Sequence, residues 1–412
     1  MGIATYIMFL LSLSSIFQWV VVNDYSLGRD VALALCIYSY KLYVFGFDEI
    51  DGVSSMRAEI RDAASGSLLR VWRGSMGTLY DCFVVDNNIY AVGTLNVSGN
   101  DFGWIIIAFD EELNIVSMVL SNPFNGMDIA TSIYSDGEYI YVSGIVNGSN
   151  FNGYRVEKRS KDLYSLEAVY MVNTTLSWRW SYALPKIAED LDGFLWLLYL
   201  YVDESTDIEI TKIDILDKNL VAVKTINIDN VKGYPYSLTF DLDRHAYVGG
   251  SMGILKIDYN GNVLKLQELK NYIIFRITYI DKDRIAAFGS RIIVPPYIAM
   301  NNLLLFNKDL DILANITIST NSPWILWTGR MERNRNNLYI AASEYKDIVK
   351  ELLNEAWSVY SVNISAIDYL YMQRNENLIL QLIPIIIVVI FSVVLGIISI
   401  VVAKRFKAIS IK

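Results

Sequence analysis

A short phrase recurs along this chain: a tight polar turn, an apolar–aromatic–apolar run, and in most copies a glycine. It reads Leu42-Tyr43-Val44-Phe45-Gly46, then Ile89-Tyr90-Ala91-Val92-Gly93 after Asp86-Asn87-Asn88, then Ile140-Tyr141-Val142-Ser143-Gly144 after Asp136-Gly137. A fourth copy, Leu195-Trp196-Leu197-Leu198-Tyr199, follows Asp192-Gly193. Ala246-Tyr247-Val248-Gly249-Gly250 and Ile285-Ala286-Ala287-Phe288-Gly289 come next, and Leu338-Tyr339-Ile340-Ala341-Ala342 ends the series after Asn336-Asn337. The copies stand about 40 to 55 residues apart, the period of a four-stranded propeller blade. Such a repeat constrains the fold strongly, because each unit can bury its apolar faces only against its neighbours.

Each copy has similar surroundings. A strand precedes the turn, as in Cys36-Ile37-Tyr38 or Cys82-Phe83-Val84-Val85. A third strand follows and often ends in Asp, as in Ile105 to Asp110, Ile210 to Asp214 and Ile254 to Asp258. A fourth, more polar strand leads onward, as in Val221 to Thr225. Tyr, Ile, Val and Trp suit pleated strands, and Gly, Asn and Asp punctuate them. The expected fold class is therefore all-β: a seven-bladed β-propeller spanning residues 16–376. The segment Asp190-Leu191-Asp192-Gly193-Phe194-Leu195-Trp196 resembles the strand-turn-strand of propellers in bacterial sensor ectodomains. No Kelch double glycine or Trp-Asp blade ending recurs, so the resemblance is to the broad propeller superfamily. Two stacked β-sandwiches are the competing fold.

Ring closure follows from the same pattern. Trp324 to Trp327, Leu338 to Ala342 and Trp357 to Val362 supply three strands of the last unit. Its fourth is either Ile367 to Met372 or Phe17 to Asn23. The latter stands where a fourth strand belongs in the repeat, so Trp19 to Val22 is expected to pair at the outer edge of the last unit. Between Glu344 and Trp357, a short helix capped by Asp347 is expected to pack on its blade.

A second feature concerns location. Leu378 to Ala403 carries no charge and is almost wholly apolar. A helix of roughly 20 apolar residues crosses a bilayer core of about 30 Å, so 377–403 reads as one C-terminal transmembrane helix. Lys404, Arg405, Lys407 and Lys412 follow it and place the tail 404–412 in the cytoplasm. Ile3 to Ser15 reads as the hydrophobic part of a signal peptide (1–15), with a retained helix as the alternative. The expected setting is a cell membrane or viral envelope, with the large domain outside. Five sequons fit it, at Asn96, Asn147, Asn173, Asn315 and Asn363. The Ile- and Tyr-rich, His-poor character resembles archaeal or archaeal-virus surface proteins.

Signals for chemistry are few. The formal net charge is −9, which disfavours nucleic acid as a partner. The only histidine, His245, lies in the turn Asp241-Leu242-Asp243-Arg244-His245. One histidine leaves no multi-histidine metal site or His-based triad without it. Carboxylate pairs at Asp190/Asp192, Asp241/Asp243, Asp281/Asp283 and Asp309/Asp311 have the spacing to hold one Ca²⁺, and they also suit hairpin turns. Cys36 and Cys82 fall at equivalent places in neighbouring units; a disulfide and two buried thiols both remain open. No sialidase Asp box, quinoprotein docking motif or phosphate loop occurs, and no cofactor is expected. The expected function is recognition, adhesion or envelope structure, with loops on one propeller face binding a surface protein or glycan. A hydrolase or lyase with carboxylates at the central channel is the alternative.

Overall fold

The computed structural model describes residues 16–23, 28–148, 150–174, 184–203, 208–293, 298–322, 331–334, 336–345 and 355–368. Phe17–Asn363 form one compact unit. Met1–Ile16 and Ile364–Lys412 form a second, of which residue 16 and a helical turn at 364–368 are described. The first unit is built of antiparallel strands. After β1 (Phe17–Asn23) come β2 (Asp30–Tyr38), β3 (Lys41–Ile50), β4 (Val53–Asp62), β5 (Leu68–Val85), β6 (Asn88–Ser98), β7 (Asp101–Phe109) and β8 (Ile115–Ser121). Strands β2 to β8 form one seven-stranded sheet. Its middle strand serves both halves: β5 pairs with β4 over Leu68–Met76 and with β6 over Gly77–Val85.

Four-stranded sheets follow. They are β9 (Ile129–Ser135), β10 (Tyr139–Asn147), β11 (Asn152–Ser160) and β12 (Leu166–Asn173); then β13 (Lys186–Glu189), β14 (Leu195–Asp203), β15 (Ile208–Leu216) and β16 (Ala222–Ile228). Next are β17 (Pro235–Phe240), β18 (Ala246–Gly250), β19 (Gly253–Ile257) and β20 (Val263–Gln267); then β21 (Tyr272–Asp281), β22 (Arg284–Ile293), β23 (Ile298–Asn307) and β24 (Ile312–Ser322). The last sheet holds β25 (Met331–Asn334), β26 (Asn337–Tyr345) and β27 (Glu355–Asn363), with β1 at its outer edge. The first strands touch one another in a closed circuit, β2–β5–β9–β13–β17–β21–β25–β2. The fold is therefore propeller-like. Inner strands such as β10 are buried from Ile140 to Val146, whereas the outermost β12 alternates between exposed and half-buried residues. Neighbouring sheets thus cover the middle strands on both faces, and the edge strand is left amphipathic.

Two positions of the recurrent phrase have physical causes. The first is its glycine. The first strands β2, β5, β9, β17 and β21 each carry a one-residue bulge, leaving Leu33, Tyr80, Thr131, Tyr236 and Phe275 out of the ladder. Each bulge faces the glycine of the adjacent strand and drives a carbonyl onto its Cα. A Cβ on Gly46 would overlap the Val31 oxygen, and one on Gly93 the Thr78 oxygen. In contrast, β13 and β25 have four residues each and unbroken pairing, and their phrases carry Tyr199 and Ala342 instead of glycine.

The second is the aromatic. Where it is tyrosine, its hydroxyl bolts one repeat unit to a turn of another. Tyr43 donates to the Glu111 carbonyl at 3.0 Å, Tyr90 to Lys161 at 2.9 Å, Tyr141 to Lys218 at 3.2 Å and Tyr247 to Lys308 at 3.1 Å. Those turns end in Leu113, Leu163, Leu220 and Leu310, all buried and all at φ between 58° and 70°. A left-handed leucine costs about 1–2 kcal/mol. Burying its side chain returns about 1.5–3 kcal/mol, so burial wins narrowly.

Closure matches the expectation. β1 pairs antiparallel with β27, from Trp19 opposite Ser361 to Asn23 opposite Trp357. Trp19 Nε1 donates to the Ala63 carbonyl at 3.1 Å, and Tyr339 donates to the same oxygen at 3.1 Å, bolting the last sheet to the first. Three other expectations need revision or lie elsewhere. The inner strand of the last sheet is Met331–Asn334, while Trp324 to Trp327 lies outside the described residues. Tyr345 still belongs to β26 and Trp357 lies inside β27, because cross-strand pairing holds both; 346–354, with Asp347, lies outside the described residues. Residues 364–368 are helical, so Ile367 does not begin a strand. The segments 1–15, 377–403 and 404–412 also lie outside, and among the described residues no helix is long and apolar enough to cross a membrane.

Candidate binding cleft at the closing seam

Where the last sheet meets the first, a cleft of about 570 Å³ opens. Its walls come from Gln18 on β1, Tyr40 in the β2–β3 hairpin, Asp62 at the end of β4, Asn334, Asn336 and Asn337 around the β25–β26 hairpin, and Asn363 ending β27. A second recess of about 370 Å³ shares Tyr40 and Asn334 and adds Tyr38 and Arg333. Hydrogen bonds order one wall. Asn337 Nδ2 donates to Gln18 Oε1 at 3.0 Å, and Ser361 Oγ donates to the same oxygen at 3.3 Å. Hydrogen bonds from the Ser65 hydroxyl and amide hold the Asp62 carboxyl below its usual pKa.

Tyr40 is the unusual member. It is 68% exposed and sits at φ 63°, after Ser39 at φ 48°. Two successive left-handed residues make a hairpin turn that favours Asn, Asp or Gly. The equivalent turn in the next unit obeys this with Asp86 and Asn87. Tyr40 carries the same backbone cost as the left-handed leucines without their burial. Strain retained with no packing return is a mark of functional surface. The cleft thus offers amides that both donate and accept hydrogen bonds, beside an exposed ring and the Asp62 carboxylate.

The residues singled out from sequence fall as follows. Cys36 on β2 and Cys82 on β5 are joined as a disulfide, with Cα atoms 6.1 Å apart. Among the sequon residues, Asn173 and Asn315 are exposed, while Asn96, Asn147 and Asn363 are half-buried. The Asn147 amide donates to Asp128 and its carbonyl accepts from the Met127 amide, which ties that residue down.

In three of the four carboxylate pairs the first member, Asp190, Asp241 or Asp281, braces its turn, and Asn307 does so ahead of Asp309/Asp311. Asp241 Oδ1 accepts the amides of Asp243 and His245; Oδ2 accepts the Tyr247 hydroxyl at 2.8 Å and lies 2.9 Å from His245 Nδ1. Burial alone would raise the Asp241 pKa, but these bonds from His245 and Tyr247 outweigh it and lower it. Asp190, Asp217 and Asn307 brace their turns with the same pair of amide contacts. Asp241, Asp243 and His245 could each direct one atom at a cation. Asp241 is already saturated, so the structural reading of these pairs is the stronger one.

A group not picked out from sequence lies on the circuit of first strands: Lys186 on β13, Arg276 on β21 and Glu332 on β25. Burial and the charge of Arg276 push Lys186 down to about 7. Burial also lowers Arg276, which Glu332 partly offsets. The signal was legible in Ile274-Phe275-Arg276-Ile277, a lone cation inside an apolar strand.

No protein family and no curated protein matches this chain. Among solved structures, Sqt1 from Chaetomium thermophilum is 11% identical over 82% of this chain and 88% of its own, with a TM-score of 0.49. A luciferin-regenerating enzyme is 10% identical over 84% of this chain and 97% of its own, with a TM-score of 0.41. A Bacteroides caccae protein of unknown function is 10% identical over 62% of this chain and 84% of its own, with a TM-score of 0.39. Likenesses this faint bear on neither activity nor ligand.

Proposed function

We propose that this chain is a membrane-anchored, outward-facing recognition protein that binds a glycan in the seam cleft. Counting the seven-stranded sheet as two blades that share β5, the ectodomain is a seven-bladed propeller. The helix 377–403 anchors it, the basic tail 404–412 lies in the cytoplasm, and the leader 1–15 is removed. The disulfide and the exposed sequon residues Asn173 and Asn315 fit an oxidising compartment. Glycans at the sequons are part of the same reading.

One observation carries the ligand class: the cleft walls are mostly amides and tyrosines beside the Asp62 carboxylate, with Tyr40 held exposed in a strained turn. Neutral groups that both donate and accept suit sugar hydroxyls, and an aromatic ring suits a sugar's apolar face. A protein partner would need a broader apolar centre. The hydrolase or lyase reading needs carboxylates converging on the circuit of first strands, where Glu332 stands with Lys186 and Arg276. A glycan array probed with the detergent-solubilised chain tests the reading. Binding to neutral glycans that falls at least about ten-fold in Tyr40→Ala or Asn336→Ala supports it. Binding that is unchanged in both variants, or absent from the array, overturns it. Protease added to intact cells tests topology, since protection of the large domain would contradict an outward orientation.

A further inference from the structure

One residue of the seam cleft has a second identity. Asn363 lines the cavity, and it also begins the sequon Asn363-Ile364-Ser365. None of the other sequon residues, Asn96, Asn147, Asn173 or Asn315, lines it. Asn363 ends β27, and its ladder partner is Asn337 on β26. Asn337 Nδ2 donates to Gln18 Oε1 at 3.0 Å and to the Tyr339 hydroxyl at 3.3 Å. A sugar attached to Asn363 is therefore rooted beside the ordered amide wall, at the cavity that Tyr40 also lines. The third sequon residue, Ser365, is exposed and is not part of the cleft wall.

Size and tethering both favour occupancy by that sugar. The cleft volume of about 570 Å³ lies within the range of pockets that enclose small ligands, about 300–1,000 Å³. A sugar held by a covalent bond need not be captured from solution. Attachment gives it an effective concentration on the order of 1 mM. If the cleft binds such a sugar with a Kd of about 0.1 mM, the tethered copy fills it about nine-tenths of the time. A free glycan then has to displace it, which weakens external binding about ten-fold.

We propose that an N-glycan on Asn363 folds back into the seam cleft and occupies it, so that the chain masks its own binding site. The proposal rests on the glycan reading of that cleft. The first sugars of the tethered chain lie against Tyr40 and the amides of Asn336 and Asn337, and a chain lacking this one glycan presents an open site.

The test uses the full chain, in detergent, from a host that N-glycosylates. Mass spectrometry reads whether Asn363 is modified. An amidase that releases N-glycans, added to the folded protein, reads whether the sugar is enclosed. Release from Asn363 should be about ten-fold slower in the unaltered chain than in folded Tyr40→Ala or Asn336→Ala. On a neutral-glycan array, Ser365→Ala removes the sequon and leaves every cleft residue in place; it should bind about ten-fold tighter than the unaltered chain. Ser365→Thr keeps the sequon and should bind as the unaltered chain does. A bare Asn363, or release at equal rates from the unaltered chain and both cleft variants, overturns the proposal. Equal, measurable array binding by Ser365→Ala and the unaltered chain overturns it as well. If the sugar is enclosed but neither chain binds on the array, self-occupancy stands and the recognition reading falls.

Discussion

Two kinds of sheet coexist in this molecule. Five phrases end in glycine and face bulged first strands; two do not, and face the short strands β13 and β25. The first kind is locked by shape, because bulge and glycine fit only each other. The second has no such lock. The β25 sheet instead depends on β1, drawn from the far end of the unit, and on Trp19 and Tyr339 sharing the Ala63 carbonyl. Asn334 of the cleft lies on β25. The seam cleft therefore lies where a less tightly specified sheet meets a locked one, as expected where function competes with regular packing.

The largest effect should come from the unlocked side. Removing residues 17–23 strips Phe17, Trp19 and Val21 from the edge of β27. Stability should fall by roughly 3–6 kcal/mol, read by denaturant titration. A truncated protein that melts like the full one would mean that β1 closes nothing. On the locked side, Gly93→Ala should cost about 3 kcal/mol, near the top of the range for overpacking, since its Cβ meets a backbone carbonyl. The reverse exchange in an unlocked sheet, Ala342→Gly, should cost only about 1 kcal/mol. Equal losses from the two changes would erase the distinction.

A smaller effect, about 1 kcal/mol, should follow Tyr90→Phe, which removes the bolt to Lys161. Smallest is a pH effect. The folded pKa of Lys186, about 7, lies below its ordinary value of 10.5. Its contribution is therefore most favourable above 10.5 and is lost as pH falls through about 7. Stability should rise from pH 7 upward, and Lys186→Met should flatten that rise in denaturant midpoints measured at both ends.

The sequence disclosed the repeat and the closing strand because both rest on short-range pattern: strand period, turn residues and the spacing of Tyr and Gly. It did not disclose why the glycine recurs, since the bulge opposite lies in another strand and has no residue signature. Leu33, Tyr80 and Thr131 share the bulge and little else. Trp324 to Trp327 has the residue types of a strand, whereas the polar Met331–Asn334, the first strand of the last sheet, has almost no strand signature. The seam cleft was hidden for a different reason. Gln18 and Asn337 are more than three hundred residues apart, and asparagines near hairpins look like ordinary turn chemistry until a cavity gathers them.

The shared strand β5 has a consequence for how the molecule comes apart. A strand of 18 residues that leaves one four-strand group and enters the next without a loop transmits any slip of register directly. With the Cys36–Cys82 link across the same pair, those two groups form one cooperative block. Under mechanical load, that block should be the last part to yield. The seam beside it, held by one edge strand, should open first.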